Sequence, residues 1–443
     1  MTGVELSVEP ARSRVDSPIR VTARGLIPGE RVSLRTMVAD GALRPWESMV
    51  QVDVDSAGTV DLSRDAAVAG SSYEGIDIDA AGFLWSMTAP DRTQFFVRTL
   101  PLDLKYRVEL LRAENVVALA EFRRHFGDDV TCEDVQQAPV VGTIARPRDD
   151  HPRPGVLMLH GSDSSRLDHA ASLLASEGYV VLALRWFGAE DRPAHLVDIE
   201  LNDIDAAINY LLASEWVIGH QVAVIGLSRG AELALEVAAN NSRVGPVIAL
   251  SQSSVRQAGI GQNYSFTKPA WLRDGEALDW VRGSGGGFAA MVAWLTSAAL
   301  RRPMRQKRSF LKALKDTAQV ELASIAVEDC CGPLTLIYGD DDGLWPSGEY
   351  TNRIRDRLIR HGWSGSLRVE RMPGAGHFVG FPYALPTMPS MCSLEPSAGF
   401  AIDFGGTPLA NARAAHDSWE VVRDELSFWG RTLRNDVGRS EEL

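Results

Sequence analysis

Residues 222–239 read Val-Ala-Val-Ile-Gly-Leu-Ser-Arg-Gly-Ala-Glu-Leu-Ala-Leu-Glu-Val-Ala-Ala. Four apolar residues in a row, Val222–Ile225, predict a strand buried on both faces. Ala231, Ala234, Leu235 and Ala238 then recur at helical spacing and mark one face of a helix. Between them the chain must reverse within a few residues, and glycine stands at two of them. A strand buried on both faces and running straight into a helix confines this part of the chain to a parallel sheet covered by helices.

The same unit recurs on either side. Val156–Leu159 is an apolar run followed by a helical segment, Asp168–Ser176. Tyr179–Leu184 is another, followed by a helical stretch over Leu196–Leu212, and Val247–Leu250 and Leu334–Tyr338 continue the series. These predict an α/β domain over residues 139–443. Up to about residue 130 the texture differs. Ile19, Val21 and Ala23 alternate with other residues, as do Val32 and Leu34, Val50, Val52 and Val54, and Tyr106, Val108 and Leu110, with the run Val116–Phe122 after them. Turns at Pro28-Gly29, Ser56-Ala57-Gly58 and Pro90-Asp91 separate them. About seven short strands predict a β-sandwich over residues 1–138, with the boundary in Glu133–Gln137. Residues 254–328 break the α/β rhythm. They hold Gly283-Ser-Gly-Gly-Gly287 and then a basic helical stretch, and they fall at the carboxyl edge of the sheet, where ligands bind.

Composition excludes several classes. The 443 residues carry a net charge of −13, which argues against nucleic acid as a general partner. The opening Met-Thr-Gly-Val-Glu-Leu-Ser-Val-Glu has no apolar core of a signal peptide, and no run approaches the roughly 20 apolar residues that span a bilayer. A cytoplasmic protein without membrane insertion is expected. Cys132, Cys330, Cys331 and Cys392 form neither a disulfide framework nor a zinc pattern, so no metal or redox cofactor is implied.

The chemistry gathers around Gly226-Leu-Ser-Arg-Gly230. A Gly-x-Ser-x-Gly string also occurs by chance in surface turns, so its position between strand and helix carries the reading. There it matches a nucleophile elbow of α/β-hydrolases, with Ser228 exposed at the sheet edge. A serine hydroxyl needs a base. His377, in Pro373-Gly-Ala-Gly-His377, stands late in the domain, as the order serine, acid, histidine requires. The acid should follow the strand Leu334–Tyr338, where Gly339 leads into Asp340-Asp341-Asp342; Asp342 is the first choice and Asp341 the second. Oxyanion donors are expected from the amide of Arg229 and from the His160-Gly161-Ser162 loop, with Ser162 as donor, Gly161 as its flexible neighbour and His160 shaping the loop. The basic run Arg301, Arg302, Arg305, Lys307, Arg308, Lys312 and Lys315 reads first as a solvated helix face. Its functional alternative is phosphate recognition on a CoA-type or carrier-bound substrate, with Arg301 and Arg305 as candidates.

These motifs resemble the acyl-CoA thioesterase and bile acid-CoA:amino acid N-acyltransferase family over nearly the whole chain. The resemblance rests on Arg24-Gly-Leu-Ile-Pro-Gly29, Ser72-Tyr-Glu-Gly75, Trp186-Phe-Gly-Ala-Glu-Asp191, Gly226–Leu235, Asp341-Asp-Gly-Leu-Trp345, Gly374-Ala-Gly-His377 and Phe404-Gly-Gly-Thr-Pro-Leu409. It implies an immunoglobulin-like sandwich followed by an α/β-hydrolase domain, and Ser228, Asp342 and His377 as nucleophile, acid and base. Trp345 supports Asp342 over Asp341. The oxyanion loop, Gly161-Ser-Asp-Ser-Ser165, and the segment 263–315 depart from the family pattern.

In that family, cysteine at the elbow goes with acyl transfer to amines and serine with thioester hydrolysis. An acyl-cysteine is a thioester and favours amines over water more than an oxygen ester does. Ser228 therefore implies a thioesterase acting on a small-molecule acyl thioester through an acyl-serine. The alternatives are acyl transfer from CoA or a carrier protein to an amine or hydroxyl, carboxylesterase or peptidase activity, and an interaction protein with a relic hydrolase domain.

Overall fold

Alternating sequence puts every second side chain of a strand on one face, and the first part of the chain is built on that pattern. The computed structural model describes residues 3–88, 96–97, 103–149, 151–282, 295–296, 303–380, 391–393 and 401–441. Its first elements are β1 (Glu5–Glu9), β2 (Arg12–Arg14), β3 (Arg20–Arg24), β4 (Arg31–Ala39), β5 (Pro45–Asp53), β6 (Val60–Asp61), α1 (Ala81–Trp85), β7 (Leu104–Arg112) and β8 (Asn115–His125). They make a sheet of order β1-β3-β6 and another of order β2-β8-β7-β4-β5. In β5, Trp46, Ser48, Val50 and Val52 are buried between exposed neighbours. Val21 and Ala23 from one sheet share an apolar cluster with Leu34, Val50, Tyr106 and Val108 from the other. The unit is therefore two sheets closed on one core, with the buried helix α1 added to the strands.

The second sheet has an antiparallel hairpin at one edge. Strand β9 (Val130–Gln137) pairs antiparallel with β10 (Val140–Pro147) over its whole length, so it is the edge of the second sheet. The expected boundary at Glu133–Gln137 thus falls within this strand. An edge strand in an antiparallel pair alternates as a sandwich strand does, and the sequence pattern cannot tell them apart. The rest of this sheet is β11 (Arg153–Leu159), β12 (Val180–Leu184), β14 (Val217–Leu227), β15 (Val244–Leu250), β18 (Leu334–Gly339) and β19 (Leu367–Met372). The order is β19-β18-β15-β14-β11-β12-β10-β9, with the six strands from β19 to β12 parallel. Val156 and Met158 face one core and Leu157 and Leu159 the other, and all four are buried. Burial on both faces is what the continuous apolar runs predicted.

Helices α2 (Asp168–Ser176), α3 (Leu201–Leu212), α4 (Arg229–Ala238), α5 (Lys307–Ala313), α6 (Thr317–Ala323), α7 (Ser347–Arg360) and α8 (Pro408–Glu441) complete the domain. Helix α3 begins five residues later than expected from Leu196. The Glu200 carboxylate accepts from the Asn202 amide at 3.3 Å and starts it, while Ile199–Glu200 (β13) pairs with Trp271–Leu272 of strand β16 (Trp271–Arg273). The insert contributes β16, β17 (Glu276–Ala277), α5 and α6; the glycine run 283–287 lies outside the described residues. Two short strands, β20 (Met391–Ser393) and β21 (Ala401–Asp403), precede α8.

Helix α8 also joins the two parts. Trp419 is buried in the same cluster as Phe83 and Leu84 of α1, and its indole N–H donates to Asp16 at 3.1 Å. Arg14 donates to Glu177 at 2.7 Å across the same junction. The approach is close enough that a Cβ on Gly82 would lie 2.9 Å from a Leu409 methyl.

Candidate active site

Strand order reverses between β11 and β14. The chain runs outward from β11 to β12, returns to β14 on the other side, and continues to β15, β18 and β19. A crevice opens at the carboxyl ends of two such strands. Here those ends carry His160-Gly161 and Ser228.

The elbow is built by exclusion of side chains. A Cβ on Gly226 would sit 2.1 Å from the Gly230 carbonyl oxygen, and one on Gly230 would sit 2.3 Å from that of Leu159. Both distances are impossible, so the tight turn demands both glycines. Ser228 takes φ 56° and ψ −116°, a conformation that costs an L-residue of order 1–3 kcal/mol. Its amide donates to Leu250 at 2.8 Å, and its carbonyl accepts from Ala231 and Glu232, which starts α4.

Ser228, His377 and Asp342 come together from three loops. His377 Nδ1 lies 2.9 Å from Asp342 Oδ2, and His377 Nε2 lies 2.9 Å from Ser228 Oγ. A carboxylate at Nδ1 fixes the proton there, which leaves Nε2 to accept from the serine hydroxyl. All three residues are buried. Trp345, Phe378 and Phe404 surround the imidazole, with ring centroids 5.4–6.2 Å away. Asp342 Oδ1 accepts from the Leu344 and Trp345 amides, both at 2.9 Å, and Oδ2 also accepts from the Ser347 hydroxyl.

The three adjacent aspartates hold three different positions. Asp340 accepts from the Gly374 amide at 2.6 Å and from Arg371, pinning the turn that leads to His377. Asp341, the second choice for the acid, instead accepts from Arg305 at 2.7 and 3.0 Å and from the Gly406 amide at 3.1 Å. The Arg305 guanidinium holds the Asp341 carboxyl below the usual carboxylate range. Arg305 also donates to Asp403 at 2.8 Å, so two carboxylates occupy the guanidinium that was a candidate for phosphate. Arg301 lies outside the described residues.

Arg305 thereby ties the acid loop to a strap formed by residues 403–411. The Phe404 carbonyl accepts from both Gly343 in the acid loop and His377, at 3.1 and 2.8 Å. Asn411, at the start of α8, accepts from the Gly376 amide at 2.8 Å. Gly405 and Gly406 have φ of 80° and 74°, and a Cβ on Gly376 would meet the Gly405 oxygen at 2.2 Å. The strap was picked out only as the family-like motif Phe404–Leu409, with no role, and Ser347 and Ser251, whose hydroxyl donates to the His377 carbonyl at 2.6 Å, were missed from sequence. Pro346-Ser347 ahead of a helical stretch was the available signal for one of them.

The predicted oxyanion loop lies against Ser228: a Cβ on Gly161 would be 3.7 Å from the Ser228 Cβ. The amides of Arg229 and Ser162 donate to no protein acceptor among the described residues. His160 shapes this loop. Its Nδ1–H donates to the Gly161 carbonyl at 2.8 Å, and its ring stacks on Trp186 at 4.8 Å. Burial pushes the imidazole down to about 4. The unfolded chain therefore binds a proton that the native state refuses between about pH 6.5 and 4, and native stability falls as pH falls through that window. The loss should be on the order of a few kcal/mol across that window. Thermal unfolding against pH should show that increment in the parent and its absence in His160→Phe.

Among the described residues no group of three or more His, Cys, Asp or Glu is placed to hold a metal ion, and no helix is long and apolar enough to cross a membrane.

Known proteins share this sequence pattern. Residues 199–434 match the family model described as BAAT / Acyl-CoA thioester hydrolase C terminal, and residues 16–137 match Acyl-CoA thioester hydrolase/BAAT N-terminal region. The chain belongs to the BAAT/acyl-CoA thioester hydrolase family. Acyl-coenzyme A thioesterase 6 of Homo sapiens is 29% identical over 430 residues, covering 94% of this chain and 95% of that one. The mitochondrial acyl-coenzyme A thioesterase 2 of Mus musculus is 28% identical, covering 95% and 88%. The peroxisomal succinyl-coenzyme A thioesterase of Mus musculus is 28% identical, covering 98% of each chain. Ser228, Asp342 and His377 all lie within the span of the C-terminal family model.

Proposed function

We propose that the protein is a serine-dependent acyl-CoA thioesterase. The observation that carries this reading is the buried hydrogen-bond chain Asp342–His377–Ser228 at the sheet's switch point. The family and the names of its relatives supply the substrate class. His377 Nε2 takes the Ser228 proton as Oγ attacks the thioester carbonyl. Asp342 holds the imidazole in the required tautomer and offsets its developing charge. The Arg229 and Ser162 amides stabilise the tetrahedral oxyanion. Collapse breaks the C–S bond, and His377 returns the proton to the departing thiolate. Water, deprotonated by His377, then attacks acyl-Ser228 and releases the acid. Every proton in this cycle moves through His377, and no metal or redox group takes part.

An acyl-serine lacks the thioester's bias toward amines, which favours water as acceptor. Incubating the enzyme with a panel of acyl-CoAs, with and without glycine or taurine, is expected to release free thiol and free acid in equal amounts. Amide product exceeding free acid would replace hydrolysis with transfer. A carrier-protein thioester run in parallel tests whether CoA is required. The two-sheet N-terminal layer belongs to this proposal as an immunoglobulin-like sandwich, supported by its strand pairing. A cytoplasmic location is part of it too, and fractionation of the native host tests that.

A further inference from the structure

Arg229 is the residue whose amide faces the oxyanion in the proposed mechanism, yet its side chain is buried at 3% exposure directly beneath the site. A buried guanidinium must be paired. It donates to Glu232 at 2.9 Å and to the Gln257 carbonyl at 3.3 Å, and lies 5.3 Å from the Trp271 ring centre. Glu232, with no exposed surface, is the centre of this cluster. Its other oxygen accepts from the Trp271 indole at 2.7 Å and from the Gln257 amide at 3.0 Å. Gln257 donates onward to the Tyr350 hydroxyl at 2.9 Å and to Ser253 at 3.1 Å. Tyr350 lies on α7, whose Ser347 donates to Asp342.

We propose that Glu232 is a positioning residue for the oxyanion-stabilising amide of Arg229. By holding the Arg229 side chain from one turn further along α4, it sets the backbone that follows the nucleophile. By binding Gln257 and Trp271, it ties that backbone to the segment after β15. An oxyanion donor works only if aimed before the charge develops, and a displacement of about 1 Å can cost about 100-fold. Among the described residues the amide of Arg229 is held by its helix turn and by this buried side chain. This inference rests on the serine-hydrolase reading of the site.

The test uses the full chain and the variants Glu232→Gln and Trp271→Phe. Glu232→Gln keeps the shape and removes the charge that holds Arg229; Trp271→Phe removes one donor and keeps the ion pair. Three quantities are read: acyl-CoA kcat and KM, the affinity of an alkylboronic acid that becomes tetrahedral and anionic on Ser228, and the affinity of a fatty acid product. For Glu232→Gln, kcat and boronate affinity are expected to fall together by about 10- to 100-fold, with KM and product affinity within about threefold. For Trp271→Phe the same two should fall by about 3- to 10-fold, and this variant carries the test if Glu232→Gln does not fold. A folded variant with parental boronate affinity and kcat overturns the role. If the parent hydrolyses no acyl-CoA, the substrate reading fails, while boronate affinity still reports the amide's position.

Discussion

Ser228→Ala is expected to lower kcat on an acyl-CoA by about ten-thousand- to million-fold while leaving the fold intact. Removing the nucleophile from a triad leaves only the oxyanion donors and binding, which together give a small residual rate. The fold should survive because, among the described residues, the hydroxyl's hydrogen bond is to His377 Nε2, whereas the turn depends on Gly226 and Gly230 and on the Ser228 backbone. Alanine inherits the same φ of 56°, so it neither relieves nor adds to the strain. Two measurements check this together. Free-thiol release should vanish, and a fluorophosphonate should add no mass to the variant while it labels the parent once. Thiol release at the parental rate would mean that the acyl group is attacked elsewhere.

Asp342→Asn should be the second largest effect, about a thousand- to ten-thousand-fold in kcat. An amide at Oδ2 can present N–H where His377 needs an acceptor, which favours the tautomer with Nε2 protonated. That tautomer cannot take the serine proton. The comparison with Asp341→Asn makes the experiment decisive. Asp341 meets Arg305 in a half-exposed ion pair, and such pairs are worth about 0–1 kcal/mol. Its variant should stay within about fivefold of the parent. A reversal of the two effects would exchange the roles of the neighbouring aspartates.

Ser228 and His377 could be read from the sequence because local rules fix them. The elbow needs glycine on both sides of the serine in a strand-to-helix turn, and the triad order leaves a late histidine on a glycine-rich loop. Side-chain chemistry alone narrows the acid to a neighbourhood, since three consecutive carboxylates are alike, and the choice of Asp342 rests on its place after Gly339 and on the resemblance at Trp345. What separates them is which way a tight turn aims each one, and that depends on Gly374, Gly406 and His377 arriving from distant parts of the chain. Glu232 was invisible for a related reason. A glutamate in the first turn of a helix ordinarily faces water, and here Arg229, Gln257 and Trp271 close over it. The strand β9 alternates as a sandwich strand does, and only its hairpin partner β10, which pairs on with β12, carries it into the second sheet. Arg305 read as a free cation in a basic run, and two carboxylates far along the chain claim it.

The strap at Phe404 bears on when the enzyme can first act. Its one carbonyl joins the loop of the acid to the loop of the base. The α8 helix behind it supplies Asn411 to the base loop and Trp419 to the N-terminal layer. A nascent chain that has emerged only as far as β19 already holds the complete elbow and Asp342, yet it lacks both His377 and the Phe404 peptide group that joins the two loops. Synthesis therefore delivers the nucleophile early and the means of activating it near the end. The same carbonyl makes the site hostage to the carboxyl-terminal segment, and a break in the chain ahead of Phe404 would leave a folded sheet carrying a serine with no organised partner.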